Sequence, residues 1–191
     1  MSPPRAVVGP VPPGRDAPSY DRLRRRILWS MPSGLYVLGT RAGERRNLMT
    51  VSWVTQVATE PKLVAVAVER AAHSHGLLVE GGVFAVSLLP RSQRALVRLF
   101  AKPVLDAAVD EDGVGTMHGE GVRAVATGAP VLDAASAYLD CEVRHTLELG
   151  SHTLFVGEVV ACDVIEHPAA QGDTGAQGPL RMEDTRMNYG G

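Results

Sequence analysis

The sequence predicts a mainly β, antiparallel fold of six or more strands that closes into a barrel, with a few peripheral helices. Three observations predict it. At least six apolar or alternating runs of strand length recur between Gly34 and His167. The first three are joined by turns too short to hold the helix that a parallel crossover needs. Two long alternating runs, "SAYLDCEVRHTLELG" and "SHTLFVGEVVACDVIEH", meet at Gly150 and Ser151, which reads as a hairpin. Six or more strands of this length usually close on themselves, because closure removes the unpaired edges.

The elements follow in order. Residues 1–18, "MSPPRAVVGPVPPGRDAP", are rich in proline and glycine and read as a disordered or extended N-terminal arm. The remainder, 19–191, reads as one domain. Ser19 is the expected cap of a short helix with Leu23, Ile27 and Leu28 at helical spacing, ended before Pro32. "GLYVLGT", "NLMTVSWVTQVAT" and "KLVAVAV" read as a three-stranded meander, broken by "RAGERR" and "EP". "SHGLLVEGG" is a short helix with Ser74 as its expected N-cap and glycine at its end. "VFAVSLL" is the next strand, and "RSQRALVRLFA" a helix ending before Pro103. Residues 103–129 show weak periodicity and read as an irregular excursion. After the long hairpin, "PAAQGDTGAQG" is a flexible loop, and the last residues hold at most one short strand.

The bulk numbers exclude several classes. The chain has 191 residues, 19 Lys and Arg against 21 Asp and Glu, and 45% apolar residues. That balance is ordinary for a globular protein and speaks against a nucleic-acid or acidic-membrane surface. The cluster "RLRRR" at 22–26 reads as the wet face of its helix. No apolar run approaches the ~20 residues of a membrane span. No apolar leader core stands at the N-terminus, and Cys141 and Cys162 sit in strand-like runs as expected buried free thiols. A cytoplasmic location is therefore expected.

No GxGxxG, P-loop or GxSxG motif occupies a strand-to-helix turn. His73 and His75 lack a neighbouring carboxylate or thiolate at ligand spacing, so no metal site is expected. Two polar groupings remain. Asn47, Thr50 and Ser52 interrupt a strand. Glu69, Arg70, His73, Ser74 and His75 stand at a helix entry, where unpaired backbone N–H groups and the helix dipole suit an anion. By composition alone, Ser74 capping its helix and Arg70 facing water is the favoured account of the second group.

The segments "MPSGLYVLGT", "RNLMTVSWVTQVATEPKLVAVAVER", "HSHGLLVEGGVFAVSLLP", "LDCEV", "GSHTLFVGEV" and "PLRM" resemble, in order and spacing, the flavin reductase-like family of FMN-binding split β-barrels. The resemblance covers about Met31 to Met182. It implies a six-stranded antiparallel split barrel with peripheral helices, working as a homodimer with FMN (or FAD) in a groove near the dimer interface. It implies NAD(P)H as co-substrate and a partner monooxygenase as a possible consumer of reduced flavin. Asn47, Met49, Thr50, Val51 and Ser52 match the segment that lines the isoalloxazine and ribityl chain. Arg70, Ser74 and His75 match the segment that holds the phosphate. His152 matches the histidine of a Gly-Asp-His turn near the nicotinamide site.

This chain reads Gly150-Ser151-His152 there, which removes a carboxylate. A flavin carrier or electron-transfer protein without nicotinamide activity is therefore the alternative reading, and a split barrel holding haem or a deazaflavin a third. Trp53 is expected in the core or at a subunit interface. Alternation adds a constraint: in a regular strand Asn47, Met49 and Val51 face one side, and Leu48, Thr50 and Ser52 the other. Asn47, Thr50 and Ser52 all reach one ligand only if the strand bends near Met49; otherwise backbone N–H groups make part of the contact.

Overall fold

The computed structural model describes residues 9–104, 106–165, 175–185 and 187. The chain divides into two units, 1–32 with 186–191, and 33–185. In the first unit, helix α1 spans Ala17–Trp29. It starts two residues before the expected Ser19, because the Asp16 carboxylate accepts the Ser19 N–H at 3.0 Å and so caps it. The Ser19 side chain, and then that backbone bond, hold the Asp16 carboxyl below its ordinary range. Residues 1–8 of the expected arm lie outside the described residues. Asp21 is largely buried between Arg24, at 2.6 Å, and Arg25, at 3.3 Å.

The second unit holds β1 (Tyr36–Ala42), β2 (Arg45–Val51), β3 (Val54–Thr59), β4 (Lys62–Glu69), α2 (His73–Gly81) and β5 (Val83–Leu88). α3 (Leu96–Leu99), β6 (Ala108–Val109), β7 (Gly115–Met117), β8 (Glu120–Ala124), β9 (Pro130–Leu132), β10 (Ala137–Leu149) and β11 (His152–Val164) follow. Seven strands form one antiparallel sheet in the order β2-β1-β5-β10-β11-β4-β3. The long hairpin turns at Gly150, with φ +60°, as the sequence indicates.

The main sheet has seven strands and is not the closed six-stranded barrel that the sequence predicts. "NLMTVSWVTQVAT" is two strands, because Ser52 and Trp53 leave the ladder between β2 and β3. Those two strands are the opposite edges of the seven-stranded sheet. Three Cα steps from Val51 to Val54 span at most ~11 Å. The sheet must therefore roll until its edges are neighbours, yet no ladder joins them. It is a rolled open sheet with a seam at Ser52–Trp53.

Two further expectations change. Residues 103–129 contain most of a second, four-stranded antiparallel sheet, β6-β7-β8-β9. Its strands of two to five residues are too short for periodicity to register. The helix expected over 91–101 is a 3-10 turn at Arg91–Gln93 followed by the single turn α3.

Alternate residues of the strands fill the concave face. Val64, Val66 and Val68 of β4 meet Leu38, Val51, Phe84, Val86, Cys141 and Phe155 in one cluster, and Leu78 of α2 joins it. Gly157 of β11 is glycine for a packing reason: a Cβ there would stand 2.5 Å from the Phe84 ring and 2.9 Å from Cys141 Cβ. Burial pushes the Cys141 thiol up to about 12, whereas Cys162 is exposed, against the expectation of two buried thiols. No helix among the described residues is long and apolar enough to cross a membrane.

Candidate functional site

β2 is where the polar residues diverge. Asn47 is buried on the same face as Val51, and its Nδ2 donates to the Ser74 hydroxyl of α2 at 2.8 Å. Thr50 points the other way. Its N–H donates to Phe100 O at 2.9 Å and its hydroxyl to Val97 O at 2.8 Å, so it fastens α3 to the strand. Val51 belongs to the core, and Met49 is half-buried beside it. Ser52 is buried where the strand ends. The bend therefore comes after Val51, not near Met49, and it does not bring the Asn47 and Thr50 side chains to one place.

Ser74 is not the cap of α2. Ala72 occupies the N-cap and offers no side-chain bond, while the Ser74 hydroxyl is taken up by Asn47. The first turn of α2 is thus left without a side-chain acceptor. His75, one residue on, bonds through Nε2 to the Thr153 hydroxyl at 2.8 Å. Its ring meets Phe155 edge-on, centroids 5.5 Å apart. Burial, and then the positive charge of Arg70, hold the His75 imidazole below its ordinary value, with Glu148 acting the other way.

The end of β4 docks on the long hairpin. Arg70 N–H donates to Ser151 O at 3.0 Å, and its guanidinium donates to Glu148 at 3.0 Å. The Ser151 hydroxyl lies 2.9 Å from His152 Nδ1. Ser151 therefore still orients the histidine after loss of the motif carboxylate. His152 is the register partner of Glu69, so the two side chains share a face. Glu69 accordingly stands beside His152, and Arg70 takes Glu148 as its partner.

Trp53 supplies the last wall. Its ring lies 4.8 Å from that of His152, tilted at 54°. It is 44% exposed, so it is not a core residue of this chain. Two threads of contacts run through the site: Asn47 to Ser74 in α2, and His75 to Thr153 in β11. Ser151, His152, Arg70, Glu148 and Trp53 adjoin the second of them at the hairpin. Met49, Thr50 and Val51 do not enter it by side chain.

Thr153, Glu148 and Trp53 are the contributors that sequence reasoning missed. Thr153 left a signal: it is the polar residue at an inward position of "HTLFVGEV", in line with Phe155 and Gly157. Glu148 left none, since its partner is 78 residues away.

The uncapped first turn of α2 with Arg70 beside it suits an anion. Asn47 Oδ1 is a buried acceptor with no partner among the described residues. Trp53 and His152 offer an aromatic surface. No cluster of three or more metal-ligating side chains occurs among the described residues.

Comparison with known proteins gives concordant matches. The model described as "Flavin reductase like domain" matches residues 28–189. An NADH-dependent FAD reductase of Streptomyces globisporus is 34% identical over 163 residues, which cover 84% of this chain and 85% of that protein. The NADH-dependent flavin reductase StyB of Pseudomonas fluorescens is 34% identical, covering 77% of this chain and 81% of its own. The solved structure of the styrene monooxygenase flavin reductase from Pseudomonas putida S12 superposes with a TM-score of 0.62 at 30% identity. It covers 76% of this chain and 88% of that one.

Proposed function

The chain belongs to the flavin reductase-like family, and on that premise we propose that it is an NAD(P)H-dependent flavin reductase. FMN is the expected flavin, with FAD accommodated by the same site. The observation that carries the reading is the joining of the α2 entry to the hairpin tip. A phosphate-suited helix start and an aromatic pair stand on one strand pair, β4 and β11.

When bound, the nicotinamide and the flavin supply the hydride chemistry themselves, one as donor and one as acceptor. The chain's task is to hold two rings in contact and keep water out. Arg70, the backbone of the first turn of α2 and His75 take the phosphate. Asn47 and Ser52 hold the polar side of the flavin, Met49 and Val51 contribute backbone and packing, and Thr50 steadies the strand by holding α3. His152, oriented by Ser151 and backed by Trp53, receives the nicotinamide. Ser151 retains a hydrogen bond to His152 Nδ1, which favours the reductase over a carrier without nicotinamide activity.

The protein is proposed to act as a cytoplasmic homodimer that delivers reduced flavin to a partner monooxygenase. The relative solved as a styrene monooxygenase flavin reductase supports that last part. The test is NADH and NADPH oxidation at 340 nm with FMN or FAD added. Turnover with at least one pair is expected, and His152→Ala should lower kcat about tenfold or more while flavin affinity stays within twofold. No oxidation with any pair sinks the reading, and FMN binding without turnover selects the carrier.

A further inference from the structure

The cation that suits a flavin phosphate is already engaged. Arg70 Nη1 lies 3.0 Å from Glu148 Oε2, and both side chains are more than half exposed. The Arg70 backbone is fixed by the Ser151 carbonyl, which anchors the base of the side chain at the hairpin tip. Glu148 is less constrained. The pairing of β10 with β5 stops at Glu142↔Val83, and residues 144–149 of β10 are exposed on both faces, with β11 their one ladder partner among the described residues. A side chain there swings away at small cost.

The ionisable side chains around this spot are Arg70, Glu148 and Glu69, with the imidazoles of His73, His75 and His152. Glu69 shares its face with His152, and Glu148 shares the opposite face with Thr153, so Glu148 is the carboxylate that meets the guanidinium. A phosphate dianion that enters must take Arg70 from Glu148 and then sit close to the displaced carboxylate.

We infer that Glu148 is a specificity-determining residue that competes with the flavin phosphate for Arg70. It sets a ceiling on affinity for phosphorylated flavins and keeps the flavin exchangeable, as a reductase that hands its product to another protein requires. The inference rests on the flavin-reductase reading and deepens it. Exposed ion pairs of this kind are worth roughly a few-fold in an equilibrium constant, and relief of repulsion on a dianion adds to that.

The test is titration of the full chain with FMN and with riboflavin, which lacks the phosphate, at low salt. Wild type, Glu148→Gln, Arg70→Gln and the double variant are compared. Glu148→Gln should tighten FMN about three- to tenfold, leave riboflavin within twofold, and change FMN binding little once Arg70 is Gln. An equal effect on both flavins, no effect on FMN, or an undiminished effect in the Arg70→Gln background overturns the inference while the flavin reading stands. A wild-type chain that binds neither flavin overturns both.

Discussion

At the scale of single residues, the site is governed by how few polar atoms are free to choose. Ser74 and Thr153 are buried hydroxyls, and each has one partner that ties α2 to a strand: Asn47 on β2 and His75 on α2. His75 is the titrating member. Its imidazole is held below its ordinary value by burial and by Arg70. The unfolded chain therefore takes up a proton first as pH falls, since an unperturbed histidine titrates near ~6.5. Stability contributed by neutral His75 is full above that value and is lost as pH falls toward the lower folded value. Thermal melts of wild type and His75→Gln across pH 8 to 5 should show wild type losing its advantage in that window. A gap that stays constant or widens on acidification would show that the neutral form is not the one the fold favours.

At the scale of elements, a glycine and a broken strand decide the geometry. Phe84 of β5 packs across Gly157 of β11, and the inward Cβ of Cys141 closes the third side. Gly157→Ala adds a methyl at 2.5 Å from a fully buried ring, and overpacking of this kind costs about 1–3 kcal/mol. Chemical denaturation should report that loss with an unchanged m-value. A neutral effect would mean that Phe84 has room to turn. The same strands show what was legible in advance. The β10–β11 hairpin, the β1–β2 and β3–β4 turns and the glycine stop of α2 were all readable, because local chemistry fixes them. The break at Ser52–Trp53 was not. Both flanks carry strand-forming residues, and only the rolling of the sheet decides that the chain leaves one edge and joins the other. Ser74 misled for a related reason. It has the chemistry of a cap, but a buried asparagine 27 residues earlier competes for its hydroxyl.

At the scale of the whole molecule, the catalytic reading and the first helix separate. Every residue assigned to the site lies in the unit of residues 33–185, and the family match begins at residue 28. α1 is fastened within its own segment: Asp16 caps it, Asp21 pairs with Arg24 and Arg25, and Ser30 closes its end on Ile27 O. Its exposed side chains mix arginine with Leu23, Ile27 and Leu28. Removal of residues 1–27 should therefore leave NADH-dependent flavin reduction within about threefold of the full chain, with KM for flavin changed no more than that. Thermal stability and oligomeric state, measured on the same truncated protein by melting and by light scattering, locate any role the segment has. If the truncated protein is folded and of unchanged assembly yet loses flavin turnover by tenfold or more, the segment contributes to the site directly. The division of labour drawn between the two units would then be wrong.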